Sequence, residues 1–225
     1  MKKKMLAGVL ALLLVCAAFS GCGEEPSPYN WEVSIVDTFD PQQGCLSVLP
    51  WLITMDEAKE ALHLADLPAD AYQLNEEDER QQEIVVKNVK LKEYRIPVDL
   101  KLTFEKNPSM TGKEGMLLVD YMFYVPEIDG YSIAAPDSPP FNSIPEETRE
   151  EFLQAQEEDR QACIQALLQR SDVIGTEAEW ALNDILQSGG ITMSGVHPEL
   201  PDPRYSVQAF MQFDAFMLYF QLGWY

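Results

Sequence analysis

The chain has 225 residues, 37 of them acidic against 16 Lys and Arg, for a formal net charge of −21. That balance repels nucleic acid, anionic headgroups and phosphate-rich polymers, and leaves basic partners and divalent cations as its complements. With 46% hydrophobic and 10% aromatic residues, the chain is nevertheless expected to bury a proper core, as one domain or two small ones.

Lys2, Lys3 and Lys4 form a positive start, and Met5 to Phe19 then run without a charge or a proline. The run is about fifteen residues, short of the roughly twenty that a bilayer span needs, so a secretory signal is expected rather than a transmembrane helix. Phe19-Ser20-Gly21-Cys22 resembles the lipobox of bacterial lipoproteins, in which an apolar residue and two small ones precede the cysteine. That resemblance implies cleavage after Gly21, a diacylglyceryl group on Cys22, and a chain tethered outside the bacterial cell membrane. Cys16 is a weaker acceptor, because branched Val15 precedes it and the apolar run continues beyond it. An ordinary signal peptide, leaving Cys22 a free thiol, is the alternative. Two acyl chains hold a domain on a membrane far more firmly than one. Without residues 1–21 the charge is 13 basic against 37 acidic residues, or −24, so lipid and not electrostatic attraction would hold the chain there.

Residues 22–30, with Pro26 and Pro28, read as a polar tether. Folding is expected to begin near Trp31, with Val33, Ile35 and the apolar 45–53 supplying one or two strands broken at Asp40-Pro41 and Pro50. Thr54 and Glu57 have capping-box spacing and predict a helix to about Leu64, with Ala58, Leu62 and Ala65 on one face. Glu76-Glu77-Asp78-Glu79 reads as a solvated loop. Val98, Leu100, Leu102 and Phe104 then alternate with polar residues, the pattern of a strand with one face wet. After a turn through 107–115, residues 116–125 predict a second strand, apolar on both faces apart from Asp120, so the two should form an antiparallel hairpin.

Residues 134–145 carry four prolines and are the best internal boundary, dividing a first half, 31–133, from a second, 146–225. Ser143 and Glu146 repeat the capping-box spacing, predicting a long helix to about Arg170 whose middle turn, 157–160, should face water. Thr176 and Glu179 predict a further helix, stopped at Gly189-Gly190. Leu218, Phe220, Leu222 and Trp224 continue a spacing of two from Phe216, which predicts strands near the C-terminus, at least one of them central. The order implies an α+β fold, an antiparallel sheet with helices on one face, and is loosely similar to two tandem helix-plus-meander halves of envelope type.

Chemistry is hard to find. His63 falls inside the first predicted helix, and His197-Pro198-Glu199 with Asp202 falls short of a zinc signature. Ser194 is the serine nearest His197, yet in an extended segment residues three apart point to opposite faces, and no nucleophile elbow is present. Glu127 and Asp129 are placed at a strand end, where a solvated terminus is the ordinary reading. Cys45 and Cys163 are the only cysteines left to pair once Cys22 is acylated; a bond between them would close a loop of more than a hundred residues, worth about 4–5 kcal/mol. No Gly-rich phosphate loop, dinucleotide fingerprint or calcium loop occurs, and no cofactor is expected. The expectation is a non-enzymatic domain that binds or scaffolds an envelope protein or peptide. A hydrolase using two carboxylates on wall glycan or peptide is the alternative.

Overall fold

The computed structural model describes residues 31–106, 114–132, 143–188, 207–213 and 217–224. The alternating stretch forms β6 (Val98–Lys106), which buries Val98, Leu100, Leu102 and Phe104 as its pattern requires. It pairs antiparallel with β5 (Gln81–Leu91) on one side and β7 (Met116–Tyr124) on the other, the expected hairpin. β11 (Met217–Trp224) pairs with the free side of β7, and β10 (Val207–Phe213) with β11. The C-terminal strand is therefore central. The outer side of β5 is shared. β4 (Tyr72–Asn75) lies antiparallel along residues 83–86, whereas β1 (Glu32–Val33) lies parallel at Lys90 and Leu91, the one departure from the expected antiparallel sheet. Between these two partners the register of β5 shifts, with Asn88 at φ +56°. A bulge there bends the strand and lets one edge serve two neighbours.

Cross-strand register builds the core. Ile84, Leu102, Tyr121, Phe220 and Met211 form one row, and Val86, Leu100, Phe123, Leu218 and Phe213 the next, all buried. Tyr121 stacks on Phe220 at 4.6 Å and meets Phe123 edge-on at 6.2 Å. Each such side chain contributes roughly 1.5–3 kcal/mol by leaving water. Strands from both sides of 134–145 supply these rows, and one hydrophobic cluster joins them to the helices.

Among the described residues there are four α-helices. α1 (Ile35–Thr38) replaces the strand expected through Ile35. Ser34 caps it locally by accepting from the Asp37 amide at 3.0 Å, and Glu93 adds a long-range cap by accepting from the amides of Ile35 (3.0 Å) and Val36 (2.9 Å). Residues 45–53 yield only β3 (Cys45–Leu46), paired with β2 (Phe39–Asp40). α2 (Met55–Ala61) starts with the predicted capping box, Glu57 N–H to Thr54 Oγ1 and Thr54 N–H to Glu57 Oε2. It ends earlier than expected, since His63 takes φ +51°. His63 thus lies beyond the helix, not inside it, and is exposed; Ala58 and Leu62 are buried while Ala65 is not.

α3 (Glu146–Leu168) starts after Pro145, which makes no side-chain cap, rather than from a Ser143 capping box. Its middle turn corrects the expectation of a wet face. Glu157 and Glu158 are exposed, but Asp159 and Arg160 are both 5% exposed, in the stripe that carries Phe152, Cys163 and Leu167. Burial is tolerated because partners arrive from elsewhere. Asp159 accepts from the Arg95 backbone N–H at 3.1 Å and lies 3.0 Å from Arg95 Nε, while Arg160 donates to the Ile185 carbonyl at 3.0 Å and to Glu157. α4 (Glu177–Ser188) begins near the predicted place, with Glu179 accepting from Gly175 N–H rather than closing on Thr176. Gly189 and Gly190 lie outside the described residues.

Candidate functional site: the polar face of the sheet

The alternation that buries one face of β6 turns Asp99, Lys101, Thr103 and Glu105 to the other. Register then extends this face across six strands. Asn75, Glu83, Thr103, Asp120 and Gln221 stand in one cross-strand row, and Gln73, Val85, Lys101, Met122, Tyr219 and Gln212 in the next. Asp99, Tyr124 and Met217 follow. A cleft of about 480 Å³ lined by Leu74, Asn75, Glu77, Asp78, Gln81 and Glu83 opens at the β4–β5 end.

The two carboxylates of the first row sit in opposite environments. Lys101 Nζ lies 2.6 Å from Glu83 Oε1, and Asn75 donates to Oε2 at 3.2 Å. Burial works to raise the Glu83 pKa, but Lys101 and Asn75 outweigh it and hold it below the usual carboxylate value. For Asp120 burial wins. Its pKa is raised, with Glu105 adding to the effect and Thr103, Lys101 and Tyr219 only partly opposing it. Asp120 Oδ1 is buried with no donor in hydrogen-bonding geometry, while Tyr219 Oη lies 3.5 Å from Oδ2 and the Thr103 hydroxyl also favours the charged carboxylate. Burial together with Asp120 and Glu105 pushes Tyr219 up to about 12; burial with Asp99 and Glu83 does the same to Tyr124. Asp99 is itself raised by burial, against the pull of the Asn88 amide and Lys87. Chemically, the face offers amides, hydroxyls, one neutralised ion pair and one under-satisfied acceptor, beside two flat tyrosine rings.

Of the residues singled out in the sequence, few meet. Glu127 and Asp129 occupy a tight exposed hairpin between β8 (Glu127–Ile128) and β9 (Tyr131–Ser132), with Asp129 at φ +47° and Gly130 at +78°. Cys45 and Cys163 are not paired but are free, buried thiols. Burial, with Asp40 adding to it, pushes Cys45 up to about 12 despite a hydrogen bond from the Trp51 backbone, and burial raises Cys163 further still. Cys22 and the lipobox, Ser194, His197, Glu199 and Asp202 lie outside the described residues. Among the described residues no group of three or more His, Cys, Asp and Glu is arranged to hold a metal, and no helix is long and apolar enough to cross a membrane.

Asp120 did carry a sequence signal, as the single polar residue in a strand otherwise apolar on both faces. Glu83 carried none. It lies in β5, whose shift at residues 87 and 88 breaks the period of two that would have revealed the strand. No family model, no curated protein and no solved structure matches this chain.

Proposed function

We propose that this chain is a lipid-anchored, extracytoplasmic binding domain, tethered through Cys22, that presents the polar face of its sheet to an envelope protein or peptide. The observation that supports a binding role is Asp120 Oδ1, a buried carboxylate oxygen left without a donor on a face otherwise rich in hydrogen-bonding groups. A ligand N–H or O–H placed there would turn an unsatisfied acceptor into a charge-assisted bond. The anchor reading is supported by the lipobox-like Phe19-Ser20-Gly21-Cys22 and by a charge that offers membranes no attraction of its own. We further take 31–133 and 146–225 to act as one body, since β11 pairs with β7; the helix-then-strand order on both sides of 134–145 is compatible with tandem halves.

The test is position-dependent photo-crosslinking in intact cells. A crosslinker at Met122 or Gln212 should capture a defined envelope component that one at Glu60, on α2, does not. Equal capture from all three positions would sink the reading. Anchoring is checked separately by radiolabelled fatty acid, which wild type should incorporate and Cys22→Ala should not.

A second reading, a carboxylate hydrolase acting on wall glycan or peptide, is favoured by one observation. Glu83 and Asp120 share a row with their pKa values pushed apart, the signature of an acid and base pair. Thr103 stands between them, so their backbones are about 9–10 Å apart, near the spacing of inverting glycosidases. Turnover of wall fragments by the purified chain, lost in both Glu83→Gln and Asp120→Asn, would establish it over the binding role.

A further inference from the structure

Buried hydrophobic residues dominate this fold, yet among the described residues two large apolar side chains stand well out of it. Ile174 is 59% exposed and Trp180 68%, against 37% and 38% for the next, Val48 and Leu74. They flank the start of α4. The turn that presents them is fixed from beneath: Val173 and Ala178 are fully buried, Ile174 N–H bonds the Arg170 carbonyl at 3.3 Å, and Gly175 turns at φ +80° while donating to Glu179. Ile174 is therefore held outward by a rigid support rather than left there by slack chain.

The position of this turn matters. Arg170 Nη1 donates to the Val36 carbonyl at 2.7 Å, tying the end of α3 to α1, and α1 follows directly on β1, where the described fold opens at Trp31. Eight residues separate Cys22 from Trp31, a span of at most about 30 Å when extended. The exposed turn thus follows directly on the helix end that is tied to α1, the segment next to β1 and Trp31.

We infer that Ile174 and Trp180 form a second, apolar contact with the lipid surface, which orients the domain on its tether; this rests on the anchor at Cys22. The chemistry selects a lipid interface. Asp172, Glu177, Glu179 and Asp184 surround the pair in sequence, so anionic headgroups are repelled, and attraction must come from burying apolar area. An indole, with its apolar body and single N–H donor, suits the headgroup boundary. A contact too weak to bind alone is sufficient here, because the tether makes the encounter intramolecular.

The experiment uses the full chain, purified from bacterial membranes and reconstituted into phosphatidylcholine vesicles with plain or brominated acyl chains. Brominated lipid should quench part of the tryptophan emission, and Trp180→Phe should remove at least half of that quenching. Ile174→Glu, which keeps every tryptophan, should reduce it by a similar factor. Equal quenching in wild type and Trp180→Phe, with both floating with the vesicles, overturns the membrane contact and leaves the anchor standing. Failure of wild type to float overturns the anchor and the contact together. A dimer that Trp180→Phe abolishes, without lipid quenching, assigns the turn to a second copy of the chain and overturns the lipid contact.

Discussion

Lys101 directs its ammonium to Glu83 at 2.6 Å, and Asp120, the other carboxylate in that row, is left with a buried oxygen that no donor reaches. Lys101 outweighs burial at Glu83, which favours its charge, whereas burial outweighs Lys101 at Asp120, which resists it. The polar face is consequently poised rather than inert, and its titration is open to measurement.

Asp120→Asn should stabilise the unliganded protein at neutral pH. A raised folded-state pKa means the folded state holds this proton more tightly than the unfolded chain does. The contribution is fully present below the unfolded value, about 3.9, and is lost as pH rises through the folded one. The neutral amide should raise Tm by about 2–4 °C at pH 7, corresponding to roughly 1 kcal/mol, and by nothing at pH 3. Thermal unfolding at the two pH values measures both. A Tm gain that persists at pH 3 would count against the assignment.

Lys101→Met should act in the opposite sense. Glu83 has a lowered pKa, so its contribution is present above the unfolded value of about 4.3 and is lost as pH falls through the folded one. Without the ammonium, both Glu83 and Asp120 should titrate at higher pH, as followed by carboxyl carbon NMR. The variant should be destabilised by about 1–2 kcal/mol at pH 7 and much less in acid.

Tyr121→Phe isolates a single buried hydrogen bond. Tyr121 is fully buried, and its hydroxyl oxygen accepts from the Leu46 amide at 2.7 Å. Phenylalanine keeps the stacking on Phe220 but strands that amide, at a cost of about 1–3 kcal/mol by chemical denaturation. Retention of full stability would mean the Leu46 amide finds another acceptor.

Cys45 and Cys163 should resist alkylation at pH 7 in the folded protein and react in full once it is unfolded without reductant. Both thiols are buried and their pKa values raised, which suppresses the reactive thiolate. Intact mass after alkylation distinguishes this from a disulfide, which would block reaction in denaturant as well.

How much of this was legible beforehand depends on the range of the interaction responsible. The β6–β7 hairpin, the capping box of α2 and the central place of β11 follow from periods and spacings within a few residues, so the local chain displays them. α1 departs from the expected strand because its local Ser34 cap is completed by Glu93, which lies more than fifty residues away. The middle of α3 departs from the expected wet face for a similar reason, since Arg95 and Ile185, distant in sequence, supply partners for Asp159 and Arg160 that add to the local Glu157. Within the candidate site, Asp120 was conspicuous and Glu83 invisible, because a register shift hides the strand that carries it.

The sequence by itself determined the α+β composition, the acidic balance and which face of β6 is apolar, because each can be read from composition or from neighbouring residues. Only the tertiary structure decided that Glu83, Thr103 and Asp120 share a row, that Lys101 outweighs burial at Glu83 but not at Asp120, and that Cys45 and Cys163 stay apart. Those outcomes depend on strand register and on burial, and both are set by pairings between segments far apart in the chain, whose relative placement no local pattern encodes.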